Sequence, residues 1–552
     1  MTSDVFTYIV GGKAGEGVKR AGTTAANMFS AMGRHVFQMD DYPSLIRGGH
    51  NFSVVSTATR EVTSHYMAAN LVVALDERSY ETHRSHVAEG GVMVFNSDAV
   101  EEGSGIGVPM STEAAGYPNA ALRVGVSGIA ALCAVMGQSK QDLADIITVE
   151  YGHDLENNIS FAGAIYDKVL EETGVRFTLE RRADAKRMFT GNEAIAIGAA
   201  AAGLDMYFGY PMTPASTVLH YLAKHDRELG VTVVHPESEI AVANMAIGAA
   251  AAGARVMVGT SGGGFALMEE AFSFAGMAEV PFLSVLSSRP GPGTGVPTYT
   301  EQADLRFALG QGHGDFPRLI ASPGTVGEAF ALAAEMMALV WTYQTTGILL
   351  TEKHLSESRV TTEFDLEGAA WAEPTMHAGG GFRRYLQTDD GVSPLLFPPS
   401  AESIKWSSYE HDEAGITTEE AGTIAAMHDK RDRKGAALTE FLRGVKTVNH
   451  FGTEGPLILT YGSTTMSVLE ALAAGNITAR VVQPMYLEPF PVWEFADLSG
   501  ETAVVVEQSS TGQFATLVAE RAGIGVSDTI LRYDGRAFEP TELAEEIRKA
   551  IG

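Results

Sequence analysis

Three loops dense in glycine and proline each follow directly on a short apolar run: GYPMTPAS at 209–216 after MYF, TSGGGF at 260–265 after ARVMVG, and RPGPGTGVPT at 289–298 after PFLSVLSS. Apolar runs of this kind, separated by alanine-rich segments of helical length, specify strands buried on both faces, hence a parallel sheet covered by helices. The loops at the carboxyl ends of such strands converge on one edge, where open α/β sheets place their ligands. Residues 187–362 are therefore expected to form one wound α/β domain with a site along that edge.

The same alternation recurs on either side. FTYIV, HVFQM, LVVALD and GVMVFN lie within 1–180, and GPLILTYGS, ARVVQPMYL and TAVVVEQSS within 454–552. A chain of 552 residues exceeds what one hydrophobic core can hold. The expected fold class is α/β, with three wound α/β domains and a connecting arm at 363–450. The arm carries the Gly- and Pro-bearing stretches EPTMHAGGGFRR and GVSPLLFPPS, then a charged run, HDKRDRKG, at 428–435. AIGAAAAG occurs twice, at 196–203 and 246–253. It reads as two small-residue helices that pack close to the sheet or to each other.

Charge and cysteine content exclude several functions. Asp and Glu number 68 against 39 Lys and Arg, a net charge of −29 that repels nucleic acid and anionic lipid. The apolar stretches are broken by glycine and fall short of the roughly 18 residues a membrane span needs. The N-terminal MTSDVFTYIV lacks the basic and cleavable regions of a signal peptide, so a cytoplasmic location is expected. Cys133 is the single cysteine, so the chain can hold neither an internal disulfide nor a cysteine-ligated iron–sulfur cluster. Within GIAALCAVMG it reads as a core residue. Gln302, Asp304, His313 and Asp315 lack the spacing of a metal site and read as structural.

Four places could carry chemistry. Gly12, Gly15 and Gly17 lie in GGKAGEG, where a strand-to-helix turn can present backbone amides to an anion or simply pack helix on sheet. Arg47, in SLIRGGH, puts a cation beside two glycines, again an anion site or a turn. Tyr210, Pro211 and Thr213 belong to a loop stiffened by two prolines, where Thr213 or Ser216 can cap the next helix or hold a ligand. Glu237 and Glu239 open a helix whose dipole favours either carboxylate; one of them facing a buried heterocycle could share a proton with a ring nitrogen.

These segments together resemble a known family. YPMTPAS, HPESEIAVANMAIGAAAAGARVMVGTSGGG and SSRPGPGTGVPTYTEQADL resemble, in order and spacing, the α subunits of 2-oxoacid:ferredoxin oxidoreductases. GGKAGEGV and LIRGGHNFSVVS resemble the family's γ domain, here fused at the N-terminus. LTYGSTTMSVLEAL and LEPFPVWEF resemble its transketolase C-terminal-like domain. Met212 departs from the usual Ile, and Thr294 from Ala or Ser.

The resemblance implies a γ domain at 1–180, a domain binding the pyrimidine of thiamine diphosphate at 187–362, and oxidative decarboxylation of a 2-oxo acid onto coenzyme A with electrons passed to ferredoxin. A β subunit would supply Mg2+, the diphosphate site and a 4Fe-4S cluster, in an (αβ)2 assembly. Glu239, with Glu237 as its rival, would relay a proton at the aminopyrimidine. Thr213 and Arg289 would hold the substrate carboxylate, while Tyr210, Pro211, Ser261, Gly262 and Gly263 would line the cofactor. The fused arrangement, with this arm and no ferredoxin-like insert, resembles the 2-oxoglutarate type most. The alternatives are a ferredoxin-independent transketolase- or dehydrogenase-type thiamine enzyme and a non-catalytic assembly subunit.

Overall fold

The computed structural model describes residues 4–43, 49–369 and 373–552. Its central sheet holds the strands of the loop-bearing region. Thr232–Val234, Met206–Gly209, Val256–Thr260, Phe282–Ser288, Thr346–Glu352 and Arg318–Ala321 run parallel in that spatial order. Every residue of Val256–Thr260, Phe282–Ser288 and Thr346–Glu352 is buried, as a sheet covered on both faces requires. Because the strands are parallel, 210–214, 261–264 and 289–298 emerge at the same edge.

The first sheet is mixed rather than uniformly wound. Phe6–Lys13 pairs parallel with Ala69–Ala74 but antiparallel with His50–Ala58, which pairs antiparallel with His35–Asp41. The sheet then takes in Arg359–Thr361 and Met188–Thr190, so the two ends of the central region are stitched into its neighbour. A third sheet, Val448–Phe451 to Gly525–Leu531, is parallel except for that first edge strand, which comes from the last residues of the arm. Tyr486–Glu488, from the same unit, pairs antiparallel with Arg318–Ala321 of the central sheet.

The charged run of the arm buries one face and exposes the other. It lies in the helix Ala421–Leu442, which buries Lys430, Arg431 and Lys434. Lys430 Nζ donates to both carboxylate oxygens of Glu279 at 2.9 Å, and Lys434 Nζ donates to Glu279 Oε2 at 2.5 Å. Arg384 donates to the Glu279 carbonyl at 2.6 Å and lies over Trp406. Burial works against the Glu279 carboxylate, but the two lysines outweigh it and hold the group below its ordinary range. Removing one member of such a buried set leaves an uncompensated charge, so the arm is locked to the central unit.

The repeated AIGAAAAG octapeptides lie in or run just past the helices Gly191–Ala201 and Glu239–Ala251. The two copies differ at their first glycine: a Cβ at Gly198 would stand 2.2 Å from the Phe330 carbonyl oxygen, whereas one at Gly248 would meet nothing within 4 Å. Cys133 is a buried core residue, its thiol pushed up to about 12 by burial. No helix among the described residues is long and apolar enough to cross a membrane.

Candidate active site

Glu239 is the first residue of the helix Glu239–Ala251, whose cap Ser238 accepts from the Ala241 amide. The side chain is 4% exposed, and its Oε1 has no hydrogen-bond partner among the described residues. Glu237, two residues earlier, is exposed. The glycine turn closes over Glu239: a Cβ at Gly264 would stand 2.1 Å from the Thr260 hydroxyl oxygen and 2.6 Å from Glu239 Oε1. A Cβ at Gly262 would approach Asp304 Oδ2 to 2.9 Å, whereas Gly263 faces open space. Ser261, fully buried at the start of this turn, also leaves its hydroxyl unpartnered among the described residues.

A buried polar atom without a partner costs about 1–3 kcal/mol. Two such oxygens at one sheet edge, beside glycines that keep the turn clear of side chains, fit a polar heterocyclic ligand better than a packed core.

The neighbouring loop completes the edge. Arg289, at the carboxyl end of Phe282–Ser288, donates through Nη1 to the Thr213 carbonyl at 2.7 Å. Burial lowers the guanidinium below its ordinary value and Asp304 partly offsets that; the guanidinium remains suited to a carboxylate ligand. Tyr210 is exposed, with its ring 5.9 Å from that of His235, and Pro211 is exposed beside it. Thus Thr213 and Arg289 meet in space, as do Glu239, Ser261 and the 262–264 glycines.

Sequence reasoning passed over two acids on this edge. Asp304, which reads as structural from the sequence, lies against Gly262, and its carboxyl is raised by burial. Glu352, at the end of Thr346–Glu352, is buried and pushed up to about 7 by burial. Its position as the last residue of the strand TGILLTE is the signal that could have singled it out.

The first glycine loop differs from its expected form. The strand Phe6–Lys13 runs through Gly11 and Gly12, and the loop shrinks to 14–17. Glu16 turns back so that its Oε2 accepts from the Lys13 amide at 2.7 Å, and a Cβ at Gly12 would stand 2.7 Å from that same oxygen. Gly15 and Gly17 take positive φ, at 95° and 82°. Arg47 lies outside the described residues.

Beside this loop two cavities of about 460 and 420 Å³ share Asp40, Asp41, Pro43 and Phe52. The larger lies where all three sheets meet, with Arg78 and His83 from the first unit, Lys353 from the central unit, and Arg532 and Arg536 from the third. Nothing in the spacing of these residues announces a common wall, since they join only through tertiary contact.

Comparison with known proteins identifies the family. The family described as "Pyruvate flavodoxin/ferredoxin oxidoreductase, thiamine diP-bdg" matches residues 197–429, and "Pyruvate ferredoxin/flavodoxin oxidoreductase" matches residues 7–168. The chain is 29% identical to subunit alpha of 2-oxoacid:ferredoxin oxidoreductase 2 of Aeropyrum pernix, over 99% of this chain and 98% of that one. It is 30% identical to the ketoisovalerate oxidoreductase subunit VorB of Methanothermobacter thermautotrophicus, over 67% of this chain and 99% of the relative. The 2-oxoglutarate:ferredoxin oxidoreductase from Magnetococcus marinus, solved with 2-oxoglutarate, coenzyme A and succinyl-CoA bound, superposes with a TM-score of 0.90 at 26% identity over the whole of both chains. The chain belongs to the 2-oxoacid:ferredoxin oxidoreductase family, as an α subunit of these thiamine-diphosphate-dependent enzymes.

Proposed function

We propose that this chain joins a β subunit to convert 2-oxoglutarate, coenzyme A and oxidised ferredoxin to succinyl-CoA, CO2 and reduced ferredoxin. The observation that carries the reading is the buried, unpartnered Glu239 Oε1 under the Gly264 turn. Thiamine diphosphate, when bound, supplies the nucleophilic carbon and the electron sink of the reaction. Glu239 holds a proton at the aminopyrimidine ring nitrogen. Arg289 and Thr213 grip the substrate carboxylate. Ser261, Gly262 and Gly263 form the floor of the cofactor site, with Tyr210 and Pro211 at its rim.

A β subunit carries Mg2+ and the 4Fe-4S cluster; the single cysteine of this chain cannot ligate such a cluster. Among the described residues no His, Cys, Asp or Glu cluster could hold a metal ion. Support for a partner on this edge comes from the exposed Tyr210, Ile240, Met245, Leu267 and Val296, large apolar side chains on the loops and helices that leave the carboxyl ends of the central strands. An (αβ)2 assembly follows the family pattern. The preference for 2-oxoglutarate draws on the full-length likeness to the Magnetococcus marinus enzyme.

Coenzyme A takes the paired cavities beside the 14–17 loop. Their volumes, about 460 and 420 Å³, suit a long ligand, and Arg78, Lys353, Arg532 and Arg536 suit its phosphates. Gly15 and Gly17 shape the rim through their backbone, while the Lys13 amide is already taken by Glu16. The test is anaerobic co-expression with the β chain and viologen reduction with several 2-oxo acids. Activity that needs both chains, thiamine diphosphate and coenzyme A, and is highest with 2-oxoglutarate, is expected. A higher rate with pyruvate or a branched acid overturns the substrate assignment. No activity with any acid, despite an intact cluster and bound thiamine diphosphate, overturns the whole reading.

A further inference from the structure

Three histidines cross the wall of the larger cavity in a line. His83, at the end of the helix Glu77–His83, is fully buried. Its Nε2 lies 2.8 Å from Nε2 of His50, and its Nδ1 lies 3.2 Å from Nδ1 of His86. On the far side, His50 Nδ1 is 3.2 Å from the Ser79 hydroxyl, which donates to Asp76 Oδ1 at 2.5 Å. All three rings line the cavity.

The anchor settles where every proton sits. A hydroxyl has one hydrogen, and Ser79 gives it to Asp76, so toward His50 it accepts and His50 Nδ1 carries the proton. Neutral His50 then accepts at Nε2 from His83 Nε2–H, and His83 accepts at Nδ1 from His86 Nδ1–H. His86 is left with a bare Nε2 lone pair, and it is half-buried where His83 is enclosed. A proton added there charges the line without breaking a link. A proton added to His83 or His50 would place two hydrogens in one contact.

The surroundings agree with a line that is neutral when the cavity holds no anion. Burial lowers all three histidines, His83 to about 3. The charged groups that face it are Asp76 and Arg78 from its own segment, Asp41 from His35–Asp41, and Glu542 from Pro540–Ile551. Asp41 and Glu542 are engaged, with Arg536 at 3.7 Å and Arg532 at 3.3 Å. The same pairs engage Arg536 and Arg532, so an incoming phosphate meets Arg78 and a proton-accepting imidazole on this wall.

We propose that His86 is the proton-accepting residue of a phosphate subsite, and that coenzyme A binding in this cavity is coupled to uptake of a proton at His86 Nε2. This rests on the assignment of coenzyme A to the cavity. His83, His50, Ser79 and Asp76 orient the imidazolium and spread its charge, so they are positioning residues. Linkage then makes affinity fall by up to about tenfold per pH unit between the titration of the unliganded triad and the higher one of the complex.

The test is calorimetry of coenzyme A binding to the complex with the β subunit, in two buffers of different ionisation enthalpy, from about pH 6.5 to about pH 8.5. The difference between wild type and His86→Asn is the readout, because protons exchanged by coenzyme A itself cancel in it. His83→Gln, which breaks the line from within, is the second variant. Weaker but measurable binding with about one proton fewer taken up and a flattened pH dependence in His86→Asn, and a smaller change of the same sign in His83→Gln, is the expected result. Coenzyme A bound with the same proton uptake in wild type and both variants overturns the proposal and leaves the cavity assignment standing. No coenzyme A binding by the wild-type complex overturns the cavity assignment, and the proposal with it.

Discussion

Arg289 donates through Nη1 to the backbone carbonyl of Thr213 at 2.7 Å, which ties the third loop of the central sheet edge to the first. The cation is thereby fixed in place before substrate arrives, and its remaining donors are free for a carboxylate. Arg289→Ala removes a charge-assisted contact of about 1.5–3 kcal/mol, so KM for the 2-oxo acid should rise by roughly tenfold to a hundredfold. Thr213→Ala keeps the carbonyl and should cost less. Steady-state kinetics of the αβ complex decide the order; an equal loss in both variants counts against the guanidinium as the main carboxylate partner.

Glu239→Gln preserves shape and removes the titrating oxygen. Turnover should drop by about a hundredfold to ten-thousandfold while thiamine diphosphate still binds. Glu237→Gln, at an exposed position, should change little. If Glu237→Gln is the inactive one, the role assigned to Glu239 is wrong.

Gly264 and Gly263 are adjacent but not equivalent. A methyl at Gly264 would lie 2.1 Å from the Thr260 hydroxyl oxygen, whereas one at Gly263 meets nothing within 4 Å. Gly264→Ala should displace the turn from Glu239 and weaken thiamine diphosphate binding. Gly263→Ala should tell whether the open space belongs to the ligand, since it folds unhindered and can lose affinity only by contact with the cofactor. Cofactor titration by fluorescence quenching of the complex checks both.

Glu279 is buried with Lys430 and Lys434 against it. Glu279→Ala strands two ammonium groups and should destabilise the chain by about 3–5 kcal/mol, whereas a triple replacement by apolar residues should cost much less. Thermal melts with limited proteolysis of the arm distinguish the two. A mild Glu279→Ala phenotype would mean that the helix Ala421–Leu442 is held by its apolar contacts alone.

Glu352 is raised from 4.5 to about 7 by burial. A carboxyl whose folded pKa lies above its unfolded value contributes stability that is fully present below the unfolded pKa and lost as pH rises through the folded one. Wild type should therefore lose stability between about pH 5 and about pH 8, by on the order of 2 kcal/mol relative to Glu352→Gln. Melting curves of the pair across that range, parallel at every pH, would contradict it.

The sequence alone determined the parallel central sheet and the edge that bears the site. Both follow from local facts: uninterrupted apolar runs must be covered on both faces, and the loops after parallel strands must share an edge. YPMTP, HPESE and TSGGG could be read as site segments for the same reason, because each is a short stretch whose backbone chemistry is self-contained. The choice between Glu237 and Glu239 was not local. Two residues apart at a helix start, they differ only in which one the Gly264 turn covers.

Long-range packing alone decided the rest. Nothing in HDKRDRKG shows that Lys430 and Lys434 are buried until Glu279, 151 residues before Lys430, is found beside them in the core. His50, His83 and His86 gain meaning from a sheet register and a helix end that bring their rings into line. The larger cavity exists because loops from three units, separated by hundreds of residues, close around one space. Charge compensation and cavity walls depend on which distant segments meet, and that is set by the tertiary fold, not by spacing along the chain.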